Sequence, residues 1–203
     1  MTHRGFFVTF EGIDGCGKST QADFLTTALE ERGHTVTHTF EPGGTTLGKK
    51  LRTILVHDEV AVSPFAEALL FAADRRQDID EIILPALHQE QIIVAERFAD
   101  SSIAYQGIGG GVGKERVESL MNLVTSGIIP DLTLLLDITP DRSLARKTSL
   151  DKIEQRGPFL TLVRRAYLDM AAQQPDRFVI INAARTREEV FQDVLAAVLK
   201  RLP

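Results

Sequence analysis

With 203 residues, 43% of them hydrophobic and 25% charged, the chain has the size and apolar content to bury one ordinary core, and a single domain spanning 1–203 is expected. Its 23 Lys and Arg against 28 Asp and Glu leave a net charge of −5 with no polybasic block, which argues against a nucleic-acid backbone and for a small nucleotide as the bound anion. No apolar run nears the ~20 residues of a membrane span, the start of the chain has no leader pattern, and the lone Cys16 cannot form an internal disulfide, so a cytoplasmic protein without membrane insertion is expected.

The first predicted strand is "FFVTF", Phe6 to Phe10, and "FEGIDGCGKSTQ" continues from its last residue. Gly12, Gly17, Lys18 and Ser19 match G-x-x-x-x-G-K-[ST] between a strand and a helix start, the context in which this spacing cradles polyphosphate. Glycines let backbone amides wrap a phosphate, Lys18 reaches its outer oxygens, and Ser19 can ligate Mg2+. The expected ATP-binding residues are Gly12, Ile13, Asp14, Gly15, Cys16, Gly17, Lys18, Ser19 and Thr20. The variable positions carry a carboxylate, Asp14, and no arginine. Phosphoryl transfer needs positive charge around the moving group, and an arginine that provides it is missing from this loop. The loop does not by itself separate a kinase from a GTPase or a motor ATPase, although no N-K-x-D run that would read guanine is found.

A helix is predicted over "STQADFLTTALEERG", with Phe24, Leu25, Ala28 and Leu29 on one face and Gly33 at its end. Further strands are predicted at Thr35 to Phe40, Gln91 to Glu96, Asp131 to Ile138 and Arg177 to Ile181. Near-continuous apolar strands alternating with helical periods argue for an α/β fold: a five-stranded parallel sheet, helices on both faces, and ligands beyond the carboxyl ends of the strands. Ser63 is placed to cap a helix begun by Pro64. On that helix Phe71 and Arg75 fall four apart, so a ring can stack on a planar base while the guanidinium donates to its carbonyl edge. A core phenylalanine beside a solvated arginine is the plainer alternative.

Glu96 and Arg97 end a strand, where Arg97 can fork onto an acceptor phosphate and Glu96 can hold water on Mg2+; a surface ion pair is the alternative. The glycines of "QGIGGGVGKE" allow that loop to bend. His3, His34, His38, His57 and His88 lack metal-ligand spacing, so no zinc is expected, and a phosphate nucleophile needs no histidine base.

Together with the phosphate loop, "FEPGGT" (Phe40 to Thr45), "LLFAADRRQ" (Leu69 to Gln77) and "ERFADSSIAYQG" (Glu96 to Gly107) resemble the bacterial thymidylate kinases, and the similarity runs on to "YLDMAAQ" near Gln173. The resemblance implies the P-loop NTPase, nucleoside monophosphate kinase fold with a lid. It implies transfer of the γ-phosphoryl group of ATP, with Mg2+ and no organic cofactor, to dTMP, giving dTDP and ADP. It further implies a homodimer. Acceptor contacts carry over to Pro42, Phe71, Arg75, Arg97, Ser101, Ser102, Tyr105 and Gln106, and Asp14 is expected to lean towards the 3′-hydroxyl of the acceptor. Tyr167 aligns near the sugar, where it would exclude a 2′-hydroxyl; a half-buried helix tyrosine is the other reading.

Three features depart from the family pattern. Phe40 stands where an arginine is usual, leaving Arg52 either to carry more of the acceptor charge or to be an ordinary solvated helix arginine. Glu96 replaces the usual aspartate, a spelling that also resembles deoxynucleoside kinases. Members without a loop arginine take it from a lid, here about 141–157, "DRSLARKTSLDKIEQRG", which is short. Arg142 and Arg146 are predicted on one helical face of it. Arg146 is the preferred catalytic cation, with Lys147 and Lys152 as alternatives and a basic helix tail as the structural reading. "INAART" is where related folds place the adenine edge. Two rival functions remain at this point: a kinase acting on thymidine, and a nucleotide-binding module without catalysis.

Overall fold

The computed structural model describes residues 5–57, 60–146 and 158–203. Five parallel strands form one sheet: β1 (Phe6–Glu11), β2 (Val36–Phe40), β3 (Ile92–Glu96), β4 (Leu132–Asp137) and β5 (Phe178–Asn182), in the order β2-β3-β1-β4-β5. Each predicted strand is present within one residue of its expected bounds. Every residue of β1 is buried, because the strand lies between β3 and β4 and both its faces are covered. Its side chains alternate: Phe6, Val8 and Phe10 enter the larger core, while Phe7 enters a smaller one on the opposite face and meets Phe98 edge-on at 5.1 Å. Burying a Phe of this kind is worth about 1.5–3 kcal/mol.

The strands are linked through α1 (Lys18–Glu30), α2 (Thr46–Arg52), α3 (Pro64–Asp78), α4 (Leu84–His88), α5 (Ala99–Ser102), α6 (Lys114–Thr125), α7 (Pro140–Leu144), α8 (Phe159–Gln173) and α9 (Arg187–Leu199). Wider π-helical turns prolong α2, α3 and α5, the last of them over Ile103–Gly109. From β1 the chain passes to β2 on one side, and from β3 it crosses β1 to β4 on the other. That reversal opens a crevice at the carboxyl ends of β1 and β3, the place where such sheets bind ligands.

Two local expectations are corrected. Ser63 does precede the first turn of α3, but its side chain makes no capping hydrogen bond; Pro64 at the helix start supplies the preset φ instead. On α1, Leu25, Ala28 and Leu29 are buried as expected, whereas Phe24 lies at the rim, edge-on to Phe191 of α9 at 5.6 Å. Gly33, at φ 86°, follows the end of α1 and turns the chain towards β2. No helix of the described residues is long and apolar enough to cross a membrane.

Candidate active site

The phosphate loop leaves β1 at Glu11 and enters α1 through Gly17, whose φ of 105° is left-handed and whose helix start has no side-chain cap. The first amides of α1 are therefore left for an anion. Gly12 and Gly15 are required by close approach: a Cβ would lie 2.6 Å from the Leu136 carbonyl oxygen at the first and 2.7 Å from that of Ser143 at the second. The Ser143 hydroxyl donates to the Asp14 carbonyl and ties the loop to α7. Lys18 Nζ arches over the loop and donates to the carbonyls of Gly12 (3.0 Å) and Ile13 (3.1 Å). Gly12 and Ile13 thus contribute carbonyls behind the cleft, with the Ile13 side chain in the core.

The remaining expected loop residues, Asp14 to Thr20, line a cleft of about 810 Å³. Its far wall holds Arg146 with Ala183, Arg185, Thr186 and Arg187, so the "INAART" segment does reach the site. Arg146 spans the two walls, donating from Nη2 to the Ala183 carbonyl (2.8 Å) and from Nη1 to that of Cys16 (3.4 Å). It does not share a helical face with Arg142, because α7 ends at Leu144 and Arg146 lies in the turn beyond. Of the lid expected over 141–157, residues 147–157 lie outside the described residues, Lys147 and Lys152 among them.

On the loop's other flank Ser19 Oγ donates to Glu96 Oε2 at 2.5 Å, and His38 Nε2 sits 3.3 Å from Glu96 Oε1. Burial would raise the pKa of Glu96, but His38, the Ser19 hydroxyl and Lys18 outweigh it and hold the carboxyl below its ordinary value. A hydroxyl beside an ionised carboxylate is an oxygen donor pair that could hold Mg2+. Among the described residues there is no cluster of three or more His, Cys, Asp or Glu that could hold a metal by itself.

A second, inner cavity of about 120 Å³ opens beside the cleft, and Asp14, Glu41, Arg52 and Arg97 line both. Arg97 adopts φ 72°, a strained value for a residue other than glycine, where its amide donates to the Phe10 carbonyl at 2.9 Å. Its guanidinium donates to the Asp14 carboxylate and to Ser101 Oγ (3.1 Å), and lies 4.8 Å from the centre of the Tyr105 ring. Tyr105 in turn donates to Asp14 Oδ2 at 3.0 Å. Burial disfavours the charge on Arg97, yet Asp14 and the neighbouring tyrosine and glutamate groups more than offset it, so the group stays cationic.

Towards the end expected to take a base, Arg75 is only 1% exposed, which removes the reading of a solvated arginine. Nε and Nη2 hold Glu41 Oε2 at 2.8 and 2.6 Å, and Nη1 donates to Ser102 Oγ and Met121 Sδ, both at 2.7 Å. Pro42, half-buried Phe71, Ser101, Ser102, Tyr105 and Gln106, the acceptor contacts expected from the sequence, lie together along the cavity wall. Gln106 is oriented by donating to Glu67 at 3.1 Å. Arg52 is half-buried rather than solvated: it donates to the Pro42 carbonyl at 2.8 Å, with its guanidinium 6.0 Å from the Phe40 ring centre.

Tyr167 requires correction. It is 1% exposed and lies behind Ser101, donating to Glu11 Oε2 at 2.8 Å, so its hydroxyl is spent inside the core and it does not line the cavity. Its partner Glu11 went unnoticed in the sequence. This buried carboxylate also accepts from the Phe98 amide (2.8 Å) and Ser101 Oγ (2.6 Å), and so fixes the chain that follows Arg97. Burial raises its pKa and nearby Asp100 adds to this, against the hydrogen bonds. A glutamate closing an otherwise uncharged, buried strand was the available signal. Asp100 anchors α5 through Arg177 (2.6 and 2.9 Å), another tie invisible to local pattern.

Asp74 and Asp78 of α3 brace the segment before the cavity, accepting from the Gly43 amide (3.1 Å) and from Thr39 Oγ1 (2.6 Å). Burial pushes their pKa values up, to about 6 and about 7.

The sequence profile of the family described as thymidylate kinase matches residues 10–194. The thymidylate kinase of Maridesulfovibrio salexigens is 42% identical, over 97% of this chain and 96% of its own. That of Bifidobacterium longum subsp. infantis is 44% identical, over 95% and 85%. The crystal structure of thymidylate kinase from Ehrlichia chaffeensis matches with a TM-score of 0.81 at 33% identity, covering 96% of this chain and 98% of that one. The chain belongs to the thymidylate kinase family.

Proposed function

We propose that residues 1–203 act as one P-loop kinase domain in which the larger cleft takes ATP with Mg2+ and the inner cavity takes dTMP. The reaction is that of the family, transfer of the γ-phosphoryl group of ATP to dTMP to give dTDP and ADP. The observation that carries the assignment of sites is the shared wall: Asp14 and Arg97 line both spaces, so an acceptor phosphate gripped by Arg97 faces the phosphate loop. Holding two anions in that geometry supplies much of the catalysis, since the acceptor phosphate is already a nucleophile.

In this reading Lys18 and Arg146 meet the donor nucleotide, Ser19 and Glu96 would hold Mg2+, and Phe71 with Arg75 reads the base. Mg2+ would neutralise charge developing on the transferred group. The buried Glu41–Arg75 pair leaves the guanidinium fixed at the cavity wall, which supports base reading by a preset donor. The proposed form is a cytoplasmic homodimer, supported by the exposed apolar Leu69 of α3 and Leu123 of α6 on two helices packed against each other. The family match does not favour a thymidine kinase or a module without catalysis.

Arg97→Ala tests the assignment of sites. Calorimetric titration should show dTMP binding weakened by roughly 100-fold, the scale of losing one partner of a buried charge pair, with ATP binding altered by less than about threefold. Equal losses for both ligands would overturn the placement of the acceptor at Arg97.

A further inference from the structure

Ser19 and Asp23 lie one turn apart on α1, His38 is on β2, and Glu96 closes β3, yet their side chains form one continuous line. The register explains why. His38 pairs with Val94 and Phe40 with Glu96, so His38 and Glu96 lie two residues apart in register and share a face of the sheet. His38 Nδ1 is 3.7 Å from Asp23 Oδ1, and Nε2 is 3.3 Å from Glu96 Oε1. Nε2 is buried and faces Glu96 Oε1 without completing a well-formed hydrogen bond, so a slight approach to Glu96 would satisfy it. Glu96 has one more rotatable bond than an aspartate, and with it more freedom to lose on being fixed. Its Oε2 is held by Ser19, which leaves Oε1 as the atom to be restrained from the other side.

We propose that His38 is a positioning residue that clamps the longer Glu96 against Ser19 and so orders the magnesium side of the site. The inference rests on the metal roles proposed for Ser19 and Glu96. His38 acts through Glu96 and does not touch the nucleotide. Asp23, at the far end, steadies the imidazole from the solvent side.

Calorimetric titration with a non-hydrolysable ATP analogue, in Mg2+ and in EDTA, gives the ratio of the two dissociation constants as a readout independent of turnover. Mg2+ is the suitable probe because it prefers oxygen ligands, so a loss cannot come from removing an imidazole ligand. His38→Ala should shrink the ratio by about tenfold, the usual scale for a group that orients a metal ligand, with affinity in EDTA unchanged within about twofold. His38→Gln, which keeps an N–H donor, should retain most of the ratio. Adding Glu96→Asp to His38→Ala should cost less than Glu96→Asp does alone, because the shorter side chain no longer needs the clamp. An unchanged ratio in His38→Ala, or strictly additive effects with Glu96→Asp, would overturn the proposal. Ser19→Ala and Glu96→Ala separate the two failures. If both shrink the ratio and His38→Ala does not, only the role of His38 is wrong; if neither does, the metal assignment fails and the proposal with it.

Discussion

Arg75 and Glu41 form an ion pair in which both side chains are almost wholly buried, at 1% and 2% exposure, with the carboxylate oxygen Oε2 taking two guanidinium nitrogens. A charge left unpaired at such a site is expensive, whereas removing both charges need not be. Arg75→Ala is therefore expected to destabilise the fold by about 3–5 kcal/mol in urea denaturation, and Glu41→Gln added to it should recover at least about 1 kcal/mol. Additive losses in the double variant would show that the pair is not coupled. Because Arg75 is also assigned the base edge, the double variant should regain stability without regaining affinity for dTMP.

Tyr167 gives a different kind of test, since its hydroxyl serves Glu11 and Ser101 inside the core. Tyr167→Phe removes one donor from a buried carboxylate, with an expected cost of about 1–3 kcal/mol. Discrimination between dTMP and its ribose counterpart should be unaffected, because the ring lies behind the cavity wall. A variant of unchanged stability that accepts the ribonucleotide would restore the sugar-reading role expected from the sequence.

Asp78 predicts a pH dependence with a definite sign. Its pKa is raised by burial from 3.8 to about 7, so between those values the folded protein holds a proton that the unfolded chain has released. Its contribution to stability is complete below pH 3.8 and is lost as pH rises through about 7. Asp78→Asn keeps an oxygen for Thr39 and cannot ionise. The variant should gain about 1–3 kcal/mol relative to the parent on going from pH 5 to pH 8. Parallel stability curves for the two proteins over that range would contradict the burial-driven shift.

The sheet and the phosphate loop were legible because their signals are local: five apolar runs, and a glycine-lysine-serine spacing between a strand and a helix. Phe71 and Arg75 were legible for the same reason, as a pair one helical turn apart. What escaped is tied across long stretches of chain. Glu11 meets Tyr167 because β1 and α8 contribute to one core, and nothing in the local sequence around the tyrosine discloses that partner. His38 meets Glu96 through the register of β2 on β3, which no periodicity reports. Arg146 stands out in the sequence only as a cation in a basic segment, and its bridge between Cys16 and Ala183 depends on the approach of the β5–α9 loop to the phosphate loop.

Acceptor-dependent ADP release, measured with dTMP, dUMP, dCMP and thymidine at fixed MgATP, tests the central claim that the inner cavity presents a nucleoside monophosphate to the donor. dTMP should be the best acceptor and thymidine nearly inactive, since the Arg97 contact has no phosphate to grip. dUMP should fall short of dTMP by roughly 10–200-fold in kcat/KM, the worth of one methyl group in a pocket. Rapid turnover of thymidine with none of dTMP would contradict the account at its root.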